Sequence, residues 1–294
     1  MKVLLTGGSG FLGQYLNKSL SKEFELLTLY NNNIGNCGEF NSMKVNIGDF
    51  EEITDIFVKF KPNVVIHTAG FSRPETCDAY PEELVWKVNV NATAHISSLC
   101  ADSGAKLIYT STDLVYDGNK GGMLKEDALL NPVSLYAKSK IAAEKEISRI
   151  FDNYIILRTA LLIGLGLNHS SNNFDLMYKN FKSGKTSRLF YDQFRTPLSV
   201  IRASEIICEM CKSDIKSEII NFGGSERVSR VKIGEMVCEI EGFDKSLINR
   251  ASMNDVPSLH KVADVSLDTE KLHSYGFSRA TLLESIKEIL RYSG

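Results

Sequence analysis

The sequence predicts an α/β chain in which a Rossmann-like doubly wound parallel sheet is joined to a smaller mixed α/β substrate lobe. Three observations carry this expectation. Short apolar runs alternate with longer amphipathic segments, the pattern of parallel crossover units. The first run opens directly into a glycine-rich turn, Gly7-Gly8-Ser9-Gly10-Phe11-Leu12-Gly13. Later in the chain, Tyr136 and Lys140 stand four residues apart in a segment of helical periodicity, so they share one face.

The elements follow in order. Residues 3–6 read as a buried parallel strand, and Phe11, Leu12, Tyr15, Leu16 and Leu20 form the packing stripe of the helix after the glycine turn. Further strands are expected at 26–30, 64–67, 106–110 and 154–158. Between them, 83–101 and 132–150 are the strongest helices, with Pro132 suited to the helix start or the position just before it. Beyond 160 the pattern is less regular. A helix begins near Phe174, helices are expected at 201–211, 232–240 and 280–291, and 219–222 reads as a short buried strand. Residues 1–160 are thus the principal NAD(P)-binding region and 161–294 mainly the substrate lobe, with 198–222 returning to the Rossmann-like domain.

Composition narrows the function. The 34 basic and 36 acidic side chains leave a formal charge of -2, and without a long basic tract a nucleic-acid polymer is not an expected partner. No apolar run approaches the roughly 20 residues that span a bilayer. Cys37, Cys77, Cys100, Cys208, Cys211 and Cys238 form no compact metal-ligand pattern, so no metal is expected. With no secretion segment, reduced cysteines and a cytoplasmic location are expected. A helix stripe leaves a homodimer possible without distinguishing it from an internal face.

The chemistry lies at the ends of the strands. A glycine turn before a helix can cradle a pyrophosphate on free backbone N–H groups, or it can be an ordinary strand–helix turn. At Tyr30-Asn31-Asn32-Asn33 no acid is present to hold the ribose of a non-phosphorylated cofactor, and no lysine or arginine adjoins it. NADP is therefore slightly preferred over NAD, and both stay open. Asp49 and Phe50 can contact adenine, or they can cap and pack the next helix. Thr68, Ala69 and Gly70 let the backbone pass beneath the cofactor, while His67 reads as structural. Asn89 reads either as a cofactor-side residue bonded across to the Tyr136 helix or as a satisfied internal asparagine. Thr112 emerges at the sheet's carboxyl edge, where its hydroxyl can hold a substrate oxygen. Tyr136 can supply the proton, and Lys140 can favour the phenolate and orient the cofactor ribose.

Together, 7–13, 111–118 and Tyr136-Ala137-Lys138-Ser139-Lys140 make the chain resemble the extended short-chain dehydrogenases/reductases, in particular the dTDP-4-dehydrorhamnose reductase branch. The resemblance covers nearly the whole chain. It implies carbonyl binding by Thr112, general acid catalysis by Tyr136 and cofactor positioning by Lys140. It also implies sugar contacts from Asp113 and from Asn172 or Asn173, and a phosphate or sugar contact from Arg195, whose guanidinium makes directional hydrogen bonds. Residue by residue, the alternatives are an Asx turn or cap at Asp113, a helix cap at Asn172 or Asn173, and a solvated arginine or internal salt bridge at Arg195. The implied reaction is NAD(P)H-dependent reduction of a 4-keto-6-deoxy nucleotide sugar, dTDP-4-dehydro-L-rhamnose to dTDP-L-rhamnose. Leu114 departs from the branch's usual aromatic residue, and 256–265 lacks its proline- and arginine-rich character. Alternatives are a nucleotide-sugar epimerase or dehydratase, and an NADP-binding regulatory subunit similar to the methionine adenosyltransferase beta subunit. Leu114 also denies the Asp-Glu pair of many dehydratases.

Overall fold

The computed structural model describes residues 1–257 and 259–292. Its centre is a seven-stranded sheet in which every neighbouring pair is parallel. In chain order the first half runs β1 (Lys2–Thr6), α1 (Phe11–Leu20), β2 (Glu25–Tyr30), β3 (Ser42–Lys44), α2 (Phe50–Phe60) and β4 (Val64–His67). It continues with α3 (Pro74–Asp78), α4 (Glu82–Trp86), α5 (Ala92–Ser103), β5 (Lys106–Thr112), α6 (Leu135–Ile150) and β6 (Tyr154–Thr159). The second half comprises β7 (Leu162–Ile163), α7 (Asn173–Lys182), β8 (Ser187–Phe190), β9 (Phe194–Arg195), β10 (Leu198–Ser199) and α8 (Val200–Met210). After these come β11 (Glu218–Phe222), β12 (Val228–Ser229), α9 (Arg230–Glu241), β13 (Ile248–Ala251), α10 (Glu270–Ser274) and α11 (Leu282–Arg291).

The strand order β11-β6-β5-β4-β1-β2-β3 reverses direction between β1 and β4. At such a switch point the flanking crossovers diverge to opposite faces and leave a crevice beyond the strand ends. Both faces of the sheet are buried, so its strands read as apolar runs. Val3 and Leu5 join one core with Leu16 and Ile207, beneath α1 and α8. Leu4 points to the other, with Ile53, Ile96 and Ile147 from α2, α5 and α6. After β6 the chain leaves the sheet and returns with α8 and β11. A separate core of Phe174, Met177, Phe181, Val237, Ile286 and Ile289 holds α7, α9 and α11 together.

Two departures from the expected elements bear on the site. The single helix expected over 83–101 is α4 and α5 joined by a π-helical turn, Lys87–Asn91, an insertion that re-aims the residues it contains. The helix expected over 132–150 starts at Leu135, where the Ser134 hydroxyl accepts from the Ala137 N–H at 3.2 Å; Pro132 lies before the cap. The edge strand β3 was not anticipated. The six cysteines are free and buried, and among the described residues no helix is long and apolar enough to cross a membrane.

Candidate active site

A cleft of about 1220 Å3 opens along the carboxyl ends of the strands and runs on against the second core. At its base, β1 and β4 deliver two backbone turns to one another. Gly7 has φ +75°, and a Cβ there would stand 2.7 Å from the Ala69 nitrogen and from Thr68 Oγ1. A Cβ on Gly13 would meet the Gly7 carbonyl oxygen at 2.1 Å. These positions require glycine because strand turn and helix are in backbone contact. Gly10 is the N-cap of α1, with no side-chain cap and no acid in the first turn. The first N–H groups of that helix have no intrahelical acceptor and can receive an anion. Gly7, Gly10, Phe11, Leu12, Gly13, Asn31, Thr68, Ala69 and Gly70 all line the cleft.

Three expected cofactor contacts do not. Asp49 is exposed and caps α2, its carboxylate accepting from the Glu52 N–H at 3.2 Å. Phe50 stacks on His95 with centroids 5.0 Å apart. The capping and packing alternatives account for both, and Asn46 and Ile47 occupy the cleft wall instead. Asn89, aimed by the π turn, accepts from the Phe71 N–H at 2.8 Å and donates to the Phe71 carbonyl and to Ser139 Oγ. It braces the turn after β4 from behind. His67 is buried with its ring nitrogens bonded to Thr6 and Thr93, and burial holds its pKa down to about 3. It is a neutral structural residue.

β5 and α6 bring Thr112, Tyr136 and Lys140 to the centre of the cleft. Thr112 Oγ1 accepts from the Leu114 N–H at 3.2 Å and stands near the Tyr136 phenol in the cleft. Burial pushes the phenol pKa well above its usual value, with the nearby Asp113 carboxylate acting in the same direction. Lys140 stands with Nζ 4.3 Å over the Tyr109 ring, and burial draws its pKa down to about 7. The expected lowering of the phenol by Lys140 is therefore not the dominant effect; burial keeps Tyr136 in its proton-bearing form.

One turn further along α6, Glu144 forms a buried ion pair with Arg158 at 2.9 Å and accepts from Ser111 Oγ. This pair fastens the Tyr136 helix to β5 and β6. Sequence reasoning passed over it, although Tyr136, Lys140 and Glu144 continue a single four-residue spacing.

On the opposite wall, Asp113 Oδ1 accepts from Thr112 Oγ1 at 3.3 Å, and Oδ2 lies 3.7 Å from Arg195 Nε. Burial raises the Asp113 pKa despite that neighbour. Arg195 lines the cleft and, besides its ion pair with Asp113, donates to the carbonyls of Phe194 at 2.6 Å and Val262 at 3.2 Å. Asn172 caps α7 through Oδ1 and donates to the Gly164 carbonyl; the exposed Asn173 beside it is free to face a ligand. Gln193 and Arg230 also line this wall and were not anticipated. No local pattern marks them, since their partners lie on other strands. Among the described residues no group of three His, Cys, Asp or Glu side chains could hold a metal.

The family model for the RmlD substrate binding domain matches residues 1–293. The chain is 24% identical over 306 residues to a dTDP-4-dehydrorhamnose reductase from Aggregatibacter actinomycetemcomitans, with 99% of each chain covered. It is 25% identical over 289 residues to methionine adenosyltransferase 2 subunit beta of Xenopus laevis, covering 95% of this chain and 84% of that one. Among solved structures, a dTDP-4-dehydrorhamnose reductase from Bacillus anthracis in complex with NADP superposes with TM-score 0.86 at 18% identity, with 99% of each chain covered. A hypothetical dTDP-4-dehydrorhamnose reductase from Sulfolobus tokodaii gives TM-score 0.83 at 26% identity, covering 97% of this chain and 99% of that one.

Proposed function

Because the chain belongs to the RmlD substrate binding domain family, we propose that it reduces the keto group of a 4-keto-6-deoxy nucleotide sugar, dTDP-4-dehydro-L-rhamnose, with NADPH or NADH. The single observation that carries this reading is the buried Tyr136 phenol, which lines the cleft together with Thr112 at the end of β5 and with Lys140. The relatives named as reductases of that sugar give the substrate class.

Gly7, Gly10 and Gly13 would admit a dinucleotide pyrophosphate to the N-terminus of α1, and Lys140 would meet its ribose hydroxyls. The absence of an acid at Asn31 supports NADP. When bound, the nicotinamide supplies hydride to the keto carbon. Thr112 holds the keto oxygen, and Tyr136, kept protonated by burial, passes its proton to that oxygen as charge develops there. Residues 1–160 serve the cofactor and 161–294 mainly the sugar, with 198–222 belonging to the Rossmann-like part. A cytoplasmic site of action is part of this reading, supported by six free, buried cysteines.

The reading is tested by steady-state oxidation of NADPH and NADH with dTDP-4-dehydro-L-rhamnose, quantified beside the reduced sugar. Matched loss of cofactor and gain of dTDP-L-rhamnose is expected. Saturable cofactor binding without reduction would instead support a regulatory subunit, the second reading, favoured by the likeness to the methionine adenosyltransferase subunit.

A further inference from the structure

β12 pairs with β9 so that Val228 aligns with Arg195 and Ser229 with Phe194. The next residues outward, Arg230 and Gln193, therefore meet at the cleft wall, with Nε 3.5 Å from Oε1. Arg195 and Arg230 share this wall with Asp113, and a third guanidinium, with its own carboxylate, lies outside the cleft lining. Arg227 takes Asp264 at 2.7 Å and lies 3.7 Å over the Phe194 ring. Arg195 takes Asp113 and two backbone carbonyls. Among the described residues Arg230 has no ion pair, and its hydrogen bond to Gln193 is long. Its guanidinium, with five N–H donors, faces the cleft beside Asp113 and Arg195. Burial, and then the Arg195 charge, hold its pKa down to about 9. Arg230 is only partly buried, and its remaining donors open on the cleft, where an anion of matching geometry would fill them and offset the charge.

We propose that Arg230 binds an anionic group of the substrate through paired hydrogen bonds and so determines which substrates the sugar end of the cleft accepts. This rests on the reading of the cleft as a nucleotide-sugar site. The anionic oxygens can come from the substrate's diphosphate or from a carboxylate on its sugar, and both match the guanidinium fork.

Calorimetric titration of the full chain with dTDP, and separately with glucuronate, distinguishes the two sources. All titrations are made with NADP present. Arg230→Gln is expected to weaken one of the two probes by about tenfold or more, while NADP affinity stays as in the parent. Loss with dTDP assigns phosphoryl oxygens, and loss with glucuronate assigns a sugar carboxylate. Arg230→Lys keeps the charge without the fork and should recover part of the affinity; it gives the same comparison should the glutamine variant fail to fold. Equal affinities in parent and variants, or a parent that binds neither probe, would overturn the proposal. Keto-sugar reduction is measured separately: if it fails while the Arg230 variants still lose anion binding, the reductase reading falls and the anion site stands.

Discussion

The cofactor-side wall of the cleft is made of backbone, whereas the sugar-side wall is made of charged side chains. On the first, Gly7 and Gly13 bring turn and helix into contact, and the N–H groups opening α1 face the cleft. On the second, a two-residue ladder between β9 and β12 brings Arg230 to the wall that holds Arg195, beside Asp113 at the end of β5. A backbone wall needs only small residues at fixed spacing, so it is local in the chain and can serve any dinucleotide. A side-chain wall is assembled from distant segments, and its charge can be changed one residue at a time without disturbing the sheet. Under the proposed function, recognition of the cofactor and recognition of the sugar should therefore be separable in this fold.

Tyr136 stands between the walls, and its substitution should produce the largest effect. Tyr136→Phe removes the proposed proton donor but leaves the glycine turns intact, so turnover should fall roughly 10²–10⁴-fold with dinucleotide affinity unchanged. Steady-state turnover beside cofactor titration checks both halves. Undiminished turnover would remove Tyr136 from the mechanism; lost cofactor affinity would show that the two walls are not separable.

The same helix is held in place by a contact that belongs to neither wall. Glu144 and Arg158 are each about 4% exposed at the side chain, and removing one partner strands the other charge. Glu144→Ala should cost about 3–5 kcal/mol in denaturant unfolding. Glu146, paired with Arg149 on the exposed side of α6, should cost under about 1 kcal/mol when changed to alanine. Equal losses at the two sites would deny Glu144 its anchoring role.

Lys140 gives a pH signature. Its pKa falls from 10.5 to about 7 through burial, so between those values the unfolded chain binds more protons than the folded one. Stability should therefore rise with pH above 7, by about 2–3 kcal/mol between pH 7 and 9 at roughly 1.4 kcal/mol per unit. The measurement compares this chain with Lys140→Met in buffer without cofactor, so that the cysteines and tyrosines common to both cancel. A pH dependence identical in the two would mean that the ammonium over Tyr109 is well solvated.

The contrast between the walls also explains what the sequence discloses. The strands were legible because both sheet faces are buried and the runs are apolar throughout; β3 was not, since two of its three residues are exposed at an edge. The break in 83–101 carries no glycine or proline to announce it, because a π turn keeps helical dihedral angles. Asp49 suited two tasks at once: a helix cap and an adenine partner both ask for a carboxylate after a strand, and the helix has it. Thr112, Tyr136 and Lys140 were legible from their spacing and strand-end position. Arg230 was not, because its neighbour Gln193 lies 37 positions away and only the β9–β12 register joins them.

The smallest expected effect tests how far the backbone wall alone governs cofactor choice. Asn31 lines the cleft beyond β2, and the parallel register sets Lys44 beside Tyr30 at that strand's end. A carboxylate at 31 would accept from the ribose hydroxyls of NADH and repel the 2'-phosphate of NADPH. Asn31→Asp should thus move the ratio of kcat/KM values about tenfold toward NADH, near 1.4 kcal/mol. The turnover of a saturated enzyme should hardly change, because under the proposed function Thr112 and Tyr136 serve the reacting carbonyl and Asn31 the adenosine ribose. A ratio that does not move would place the adenosine ribose away from β2; a fall in saturated turnover would mean that the ribose contact and the proton donor are coupled through the sheet.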